Sequence, residues 1–287
     1  MRRIIVVASA FIFLSFCAYA QQTPQNDSVM VRGRVQHAGT SATVLAHQSR
    51  PLHSAISAIA EEYGWLVEFE DPPYRSRYDL VDSTDPEWRA NHPLEKGVTR
   101  IAGEAFQSQY QEGPDLATAS GEERVLTKVV TDYNKSGNPG KFVVRRESES
   151  RYAVIGQSVK DDNDRDQEVP AILDTPVSVA SQTRGARETV QLILSTLSAR
   201  TGQKVALMSY PANIFRTAQV TIGGTDVTAR QLLLQTLDQA SERYTMRWSL
   251  LFRFDENTYF LNVTVCSQVN TDPNGRQWLA PVLRSKP

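Results

Sequence analysis

Apolar residues recur at helical spacing in four stretches of the chain. Leu52, Ala55, Ile56, Ile59, Ala60 and Tyr63 line one helix face. Val125, Leu126, Val129, Val130 and Tyr133 line a second, Ala186, Val190, Ile193, Leu194 and Leu197 a third, and Ala229, Leu232, Leu233, Leu237 and Ala240 a fourth. Helices with one apolar stripe gain most of their stability by laying it on a sheet or on another helix. Alternation supplies the strands. Trp65, Val67 and Phe69 alternate with Glu68 and Glu70 after the first helix, and Val205 and Leu207 follow the third. The second and fourth helices each lead into a hairpin. In one, Phe142 and Val144 pass through RESESR to Tyr152 and Val154; in the other, Trp248, Leu250, Phe252 and Phe254 pass through DEN to Tyr259, Leu261, Val263 and Val265.

The order of elements therefore occurs twice. Residues 43–159 read helix, strand, strand, helix, strand, strand, and residues 172–266 read the same. The predicted fold is α+β: two similar small modules, each helix-strand-strand-helix-hairpin with helices packed on small sheets. The first module carries a long insert at 71–100 where the second crosses in SYPANIFRT. An acidic linker at 160–171, and flexible segments at 21–42 and 267–287, complete the predicted organisation.

The first twenty residues change the picture of where this fold works. Arg2 and Arg3 precede an uncharged apolar run that ends in Ala18-Tyr19-Ala20 before the polar QQTPQ. That is the order of a secretory signal peptide, so residues 1–20 are expected to direct export to a periplasmic or secreted location. An uncleaved anchor helix and a lipoprotein acylated at Cys17 are the alternatives. Cleavage after Ala20 leaves Cys266 as the last thiol, which rules out an intrachain disulfide and suits a small buried side chain. No second long apolar segment follows, so the mature form is not expected to span a membrane. Lys and Arg total 31 against 32 Asp and Glu, with no basic run interleaved with aromatics, and nucleic acid is not an expected partner.

Candidate chemistry is sparse. Gly223 and Gly224 precede a helix, but a phosphate cradle needs Lys and Ser or Thr at the helix start, and Thr225, Asp226, Val227 and Thr228 stand there instead. The stretch reads as strand end, turn and a helix capped by Asp226 or Thr228. His37, His47, His53 and His92 form no H-x-x-x-H pair, and His53 is expected to face solvent. No G-x-S-x-G elbow is present, and Asn134-Lys135-Ser136 and Asn262-Val263-Thr264 match glycosylation acceptors. No catalytic residue, cofactor or metal is expected. The insert offers Tyr74, Tyr78, Asp82, Asp85, Trp88 and His92, residue types that glycan sites use, and loops are frequent carriers of function.

The stretch from VQLILSTLSARTGQKVALM through VTIGGTDVTARQLLLQTLDQ to WSLLFRFDENTYFLNV resembles the short N-terminal domain shared by secretins and TonB-dependent receptors. The likeness is clearest over about 186–265. RPLHSAISAIAEEYGWLVEFE gives a looser echo within 43–159. The resemblance implies a non-enzymatic domain that docks to other envelope or secreted proteins, with no active-site residues to carry over. Strand addition to an open sheet is the expected mode, with the strand Tyr259 to Cys266, bearing Tyr259 and Leu261, as its candidate. Tyr74, Tyr78, Trp88 and His92 are the candidate surface of the insert. The competing reading is an enzyme or binder acting on an envelope polymer or glycan through residues 71–100.

Overall fold

The computed structural model describes residues 33–47 and 49–283; the expected export signal lies outside the described residues. The elements run β1 (Arg34–Ala38), β2 (Ser41–Ala46), α1 (Pro51–Tyr63), β3 (Leu66–Glu70), β4 (Leu80–Asp82), α2 (Pro86–Asn91), β5 (Thr99–Ile101), β6 (Phe106–Gln111), α3 (Ala119–Lys135), β7 (Lys141–Ser148) and β8 (Arg151–Lys160). After them come β9 (Asp166–Glu168), a 3-10 turn at Ile172–Asp174, β10 (Pro176–Gly185), α4 (Ala186–Thr201), β11 (Lys204–Ser209), α5 (Ala212–Phe215), β12 (Gln219–Thr228), α6 (Ala229–Ala240), β13 (Met246–Arg253), β14 (Thr258–Val265), β15 (Ser267–Thr271) and β16 (Gln277–Pro281). The fold is α+β, and its two halves are built alike.

The likeness extends to register. Helices α1 and α4 both end at a left-handed glycine, Gly64 and Gly202, where a side chain would strain the backbone. Three residues beyond each glycine, Val67 pairs with Tyr152 in one half and Val205 with Tyr259 in the other, both in parallel. In the hairpins Val144 faces Val154 and Leu250 faces Leu261. In each half the strand before the first helix pairs antiparallel with the strand before the second, β2 with β6 and β10 with β12. Helices α1, α3, α4 and α6 each pack on strands of both their own small sheet and the large one. The stripes read from the sequence are the buried ones, Leu52, Ala55, Ile56 and Ile59 answering Val190, Ile193, Leu194 and Leu197.

The two halves share one sheet. Its order is β11-β14-β13-β3-β8-β7, with β9 alongside β8 as the seventh strand. The joint is the parallel pairing of β13 with β3, Ser249 opposite Phe69 and Leu250 opposite Glu70. Phe69 turns to α1, where it meets His53, while Glu70 and Glu68 turn to the other face, where Arg230 and Asp238 of α6 lie. On β13, Arg247 reaches Glu61 of α1, and Trp248 lies under Arg230. The helices of the first half therefore cover one face of the sheet and those of the second half the other. One operation relates the halves: a half-turn about the line across the strands, combined with a shift of one three-strand block.

Several segments are more ordered than the sequence suggests. The expected linker at 160–171 is a tight turn, with Asp161 accepting from Asn163 and Arg165, followed by β9 on the edge of β8. Residues 33–42 contribute β1 and the start of β2, and 267–281 forms the β15-β16 hairpin against α1. Short exposed polar strands of this kind lack the apolar alternation that marks a strand in sequence. The glycines before α6 lie inside β12 rather than in a turn. A Cβ on Gly223 would stand 2.3 Å from the backbone of Ser181, so the bare glycine is what lets β12 pass β10 where their pairing slips. Thr228 caps α6, accepting from Gln231 N–H, while Asp226 takes a left-handed conformation and makes no cap.

Candidate functional site

The joint between the halves concentrates buried charge. Arg230, on the first turn of α6, is 2% exposed; it donates to Glu70 at 2.5 Å and to Asp174 at 2.7 Å, and stacks on Trp248 at 5.3 Å. Arg145 of β7 grips the other side of Asp174 with two hydrogen bonds, at 2.6 and 2.9 Å. Arg151 of β8 bridges Glu68 at 2.5 Å and Asp238 at 2.9 Å. On the opposite face, Arg50 donates to Asp71 at 2.7 Å and to the Phe252 carbonyl at 2.5 Å. Burial raises the pKa of Glu68 to about 7 and raises those of Glu70 and Asp71, against the pull of their arginines. These groups lock two halves together. Each one faces a structural partner, and the cluster is a clamp rather than a cleft.

Beside the joint lies a pocket of about 420 Å³ lined by Gly64, Trp65, Glu122, Arg151, Asp238 and Leu283 among others. Its arginine and aspartate are bonded to one another. A smaller cavity of about 140 Å³ is lined by His53, Phe69 and Arg247. His53 is half-buried there, 4.9 Å from the Phe69 ring, and does not face solvent as expected. Burial, with Arg50 and Arg247 nearby, pushes its pKa down to about 3. An unfolded chain takes up that proton near the ordinary 6.5, so the contribution of His53 to stability is complete above pH 6.5 and is lost as the pH falls from there toward 3. His53→Leu is therefore expected to lessen the acid destabilisation, by about 2 kcal/mol at pH 5 relative to pH 7. Urea melts of both proteins at the two pH values measure this; an unchanged acid slope would contradict it.

The insert does not gather its polar residues into a site. Tyr74 is 2% exposed and points its hydroxyl to the Pro139 carbonyl, because the chain after β3 dives under the start of β7. Tyr78 lies at the surface beneath Arg77, and Trp88 stacks on His92 along α2. Asp82 binds Thr84 and Arg89, and Asp85 caps α2 through Trp88 N–H, so both carboxylates serve local structure. Among the described residues, no group of three or more His, Cys, Asp or Glu is placed to hold a metal ion. No helix among them is long and apolar enough to cross a membrane.

The strand proposed from sequence for docking is corrected by the topology. β14 is flanked by β11 on one side and β13 on the other, and Tyr259 and Leu261 are 3% and 0% exposed, so neither can meet a partner. The open edges belong to β7 and β11, which end the six-strand path of the sheet, and to the three-residue β9 beside β8. β7 and β11 each bear an exposed apolar side chain, Val143 at 37% and Met208 at 57%. On β7 the Asn134 carboxamide holds both backbone groups of Phe142, at 3.0 and 2.8 Å. Phe142 thus turns its N–H and C=O away from β8, and by alternation Val144 and Arg146 do too. The sequence marked both segments as strands, but local alternation carries no record of which strand ends a sheet. No family model, curated protein or solved structure matches the chain.

Proposed function

We propose that this chain is an exported, non-enzymatic protein-binding or envelope-assembly element that docks by adding a strand to an open edge of its seven-stranded sheet. The observation that carries this reading is the pair of unflanked strands β7 and β11 with Val143 and Met208 exposed on them. An unpaired row of backbone donors and acceptors beside an apolar side chain is what a strand-adding partner recognises. The resemblance of residues 186–265 to secretin and TonB-receptor N-terminal domains supports it. So does the use of the charged clusters inside the fold, where arginines and carboxylates are paired across elements.

Val144→Pro tests the reading, since proline at an outward-facing edge position removes the exposed N–H and leaves the pairing to β8 intact. The unmodified chain is expected to retain a bound protein from an extract of its native compartment, and Val144→Pro to lose at least tenfold of it while keeping its circular dichroism. Equal retention by proline variants of both edges would contradict the proposal.

A further inference from the structure

We propose that the partner at these edges is a second copy of this chain, joined head to tail so that β7 of one molecule pairs in parallel with β11 of the next. This inference rests on the edge-docking reading above and gives it a specific occupant. The chain already contains one such joint. In the internal repeat β13 corresponds to β7 and β3 corresponds to β11, and β13 pairs with β3. The strand left open at one end of the sheet is therefore the copy of the one that donates to the joint. The strand left open at the other end is the copy of the one that accepts it.

Applying the same half-turn and shift once more places the next copy's β11 beside β7, with helix layers continuing to alternate between faces. The register follows. Ser249 opposite Phe69 becomes Val143 opposite Leu207, and Leu250 opposite Glu70 becomes Val144 opposite the bulge at Met208 and Ser209, where Ser209 takes the place of Glu70 against β14. At the internal joint Asp71 N–H donates to the Leu250 carbonyl at 2.9 Å, and the equivalent point on β11 lies just past the bulge at Met208 and Ser209. The two exposed apolar side chains, Val143 and Met208, come to lie in the new joint. The Asn134 plug stops at Phe142, short of the residues the joint needs.

Arg230 reaches Glu70 internally, and their counterparts are Glu123 and Ser209, so a carboxylate on α3 lies over a hydroxyl that can donate to it. Because the two surfaces are different, the contact is heterologous and does not close on itself as a dimer; growth is open-ended.

Sedimentation velocity of the exported chain over a hundredfold concentration range tests this. The expected result is a series of species growing by whole monomers. Val144→Pro disables the β7 end. Ser209→Glu disables the β11 end by setting a second carboxylate beside Glu123, whereas Ser209→Lys creates an opposite-charge pair and is expected to strengthen association at least threefold. Each disabled variant alone is expected to remain monomeric. Their equimolar mixture is expected to form a heterodimer and nothing larger, since it retains one good end of each kind; its formation also shows that both variants are folded. A monomeric wild-type chain, undiminished association of either variant, or a mixture that fails to pair would overturn the head-to-tail joint. If the wild type stays monomeric yet still binds another protein in a Val144-dependent way, self-association falls and the edge-docking function stands. If neither occurs, both fall.

Discussion

Arg230→Met is expected to cost about 3–5 kcal/mol of stability. Methionine keeps much of the packing volume on Trp248 but leaves Glu70 without its cation in a site where 1% of its surface is exposed. The penalty comes from that stranded carboxylate. Glu70→Met combined with Arg230→Met is accordingly expected to recover most of the loss, because an apolar pair of similar volume needs no compensating charge. Arg230→Lys is expected to recover little: one ammonium cannot reach Glu70 and Asp174 along the two directions that the guanidinium uses. Chemical denaturation of the two single variants and the double variant gives the coupling energy directly, and an additive double variant would contradict this reading.

The second large effect is a matched pair. Ile59 and Leu197 hold corresponding places on α1 and α4, and both are 0% exposed. Alanine at either is expected to cost about 2–5 kcal/mol through lost transfer energy and the cavity left behind. Because the halves share one sheet and are clamped at their joint, each substitution is expected to shift one common unfolding transition rather than one of two. Calorimetry decides the point. Two resolved transitions, with Ile59→Ala moving one and Leu197→Ala the other, would mean that the halves fold independently.

Much of this architecture is legible along the chain, and the gaps have physical causes. The four stripes are legible because a helix on a sheet repeats its burial every three or four residues, and Gly64 and Gly202 mark their ends. The duplication is legible because the order of elements repeats. The fusion of the halves is not, since β13 meets β3 over a two-residue register that leaves no periodic trace. Glu68 and Glu70 look like the wet side of a strand. They are buried because α6 of the other half lies over them, and a strand cannot announce a cover that comes from a distant part of the chain. The same reason misplaces the docking strand. Tyr259 and Leu261 alternate like an edge, while the partner that buries the far side of β14 is β11, some fifty residues away. Arg230, set among Ala229, Leu232 and Leu233, is the one residue whose position in an apolar stripe hints at the clamp.

The joint is the claim on which the clamp, the shared sheet and the head-to-tail assembly all depend. Hydrogen exchange of the Asp71 and Leu250 amides in dilute, monomeric protein, followed by mass spectrometry of peptides covering 66–71 and 247–253, measures it most directly. Both segments are expected to exchange as slowly as the buried turns of α1 and α4, releasing only with global unfolding. Fast exchange there, with the helices of both halves still protected, would show two separate modules side by side and contradict the shared sheet.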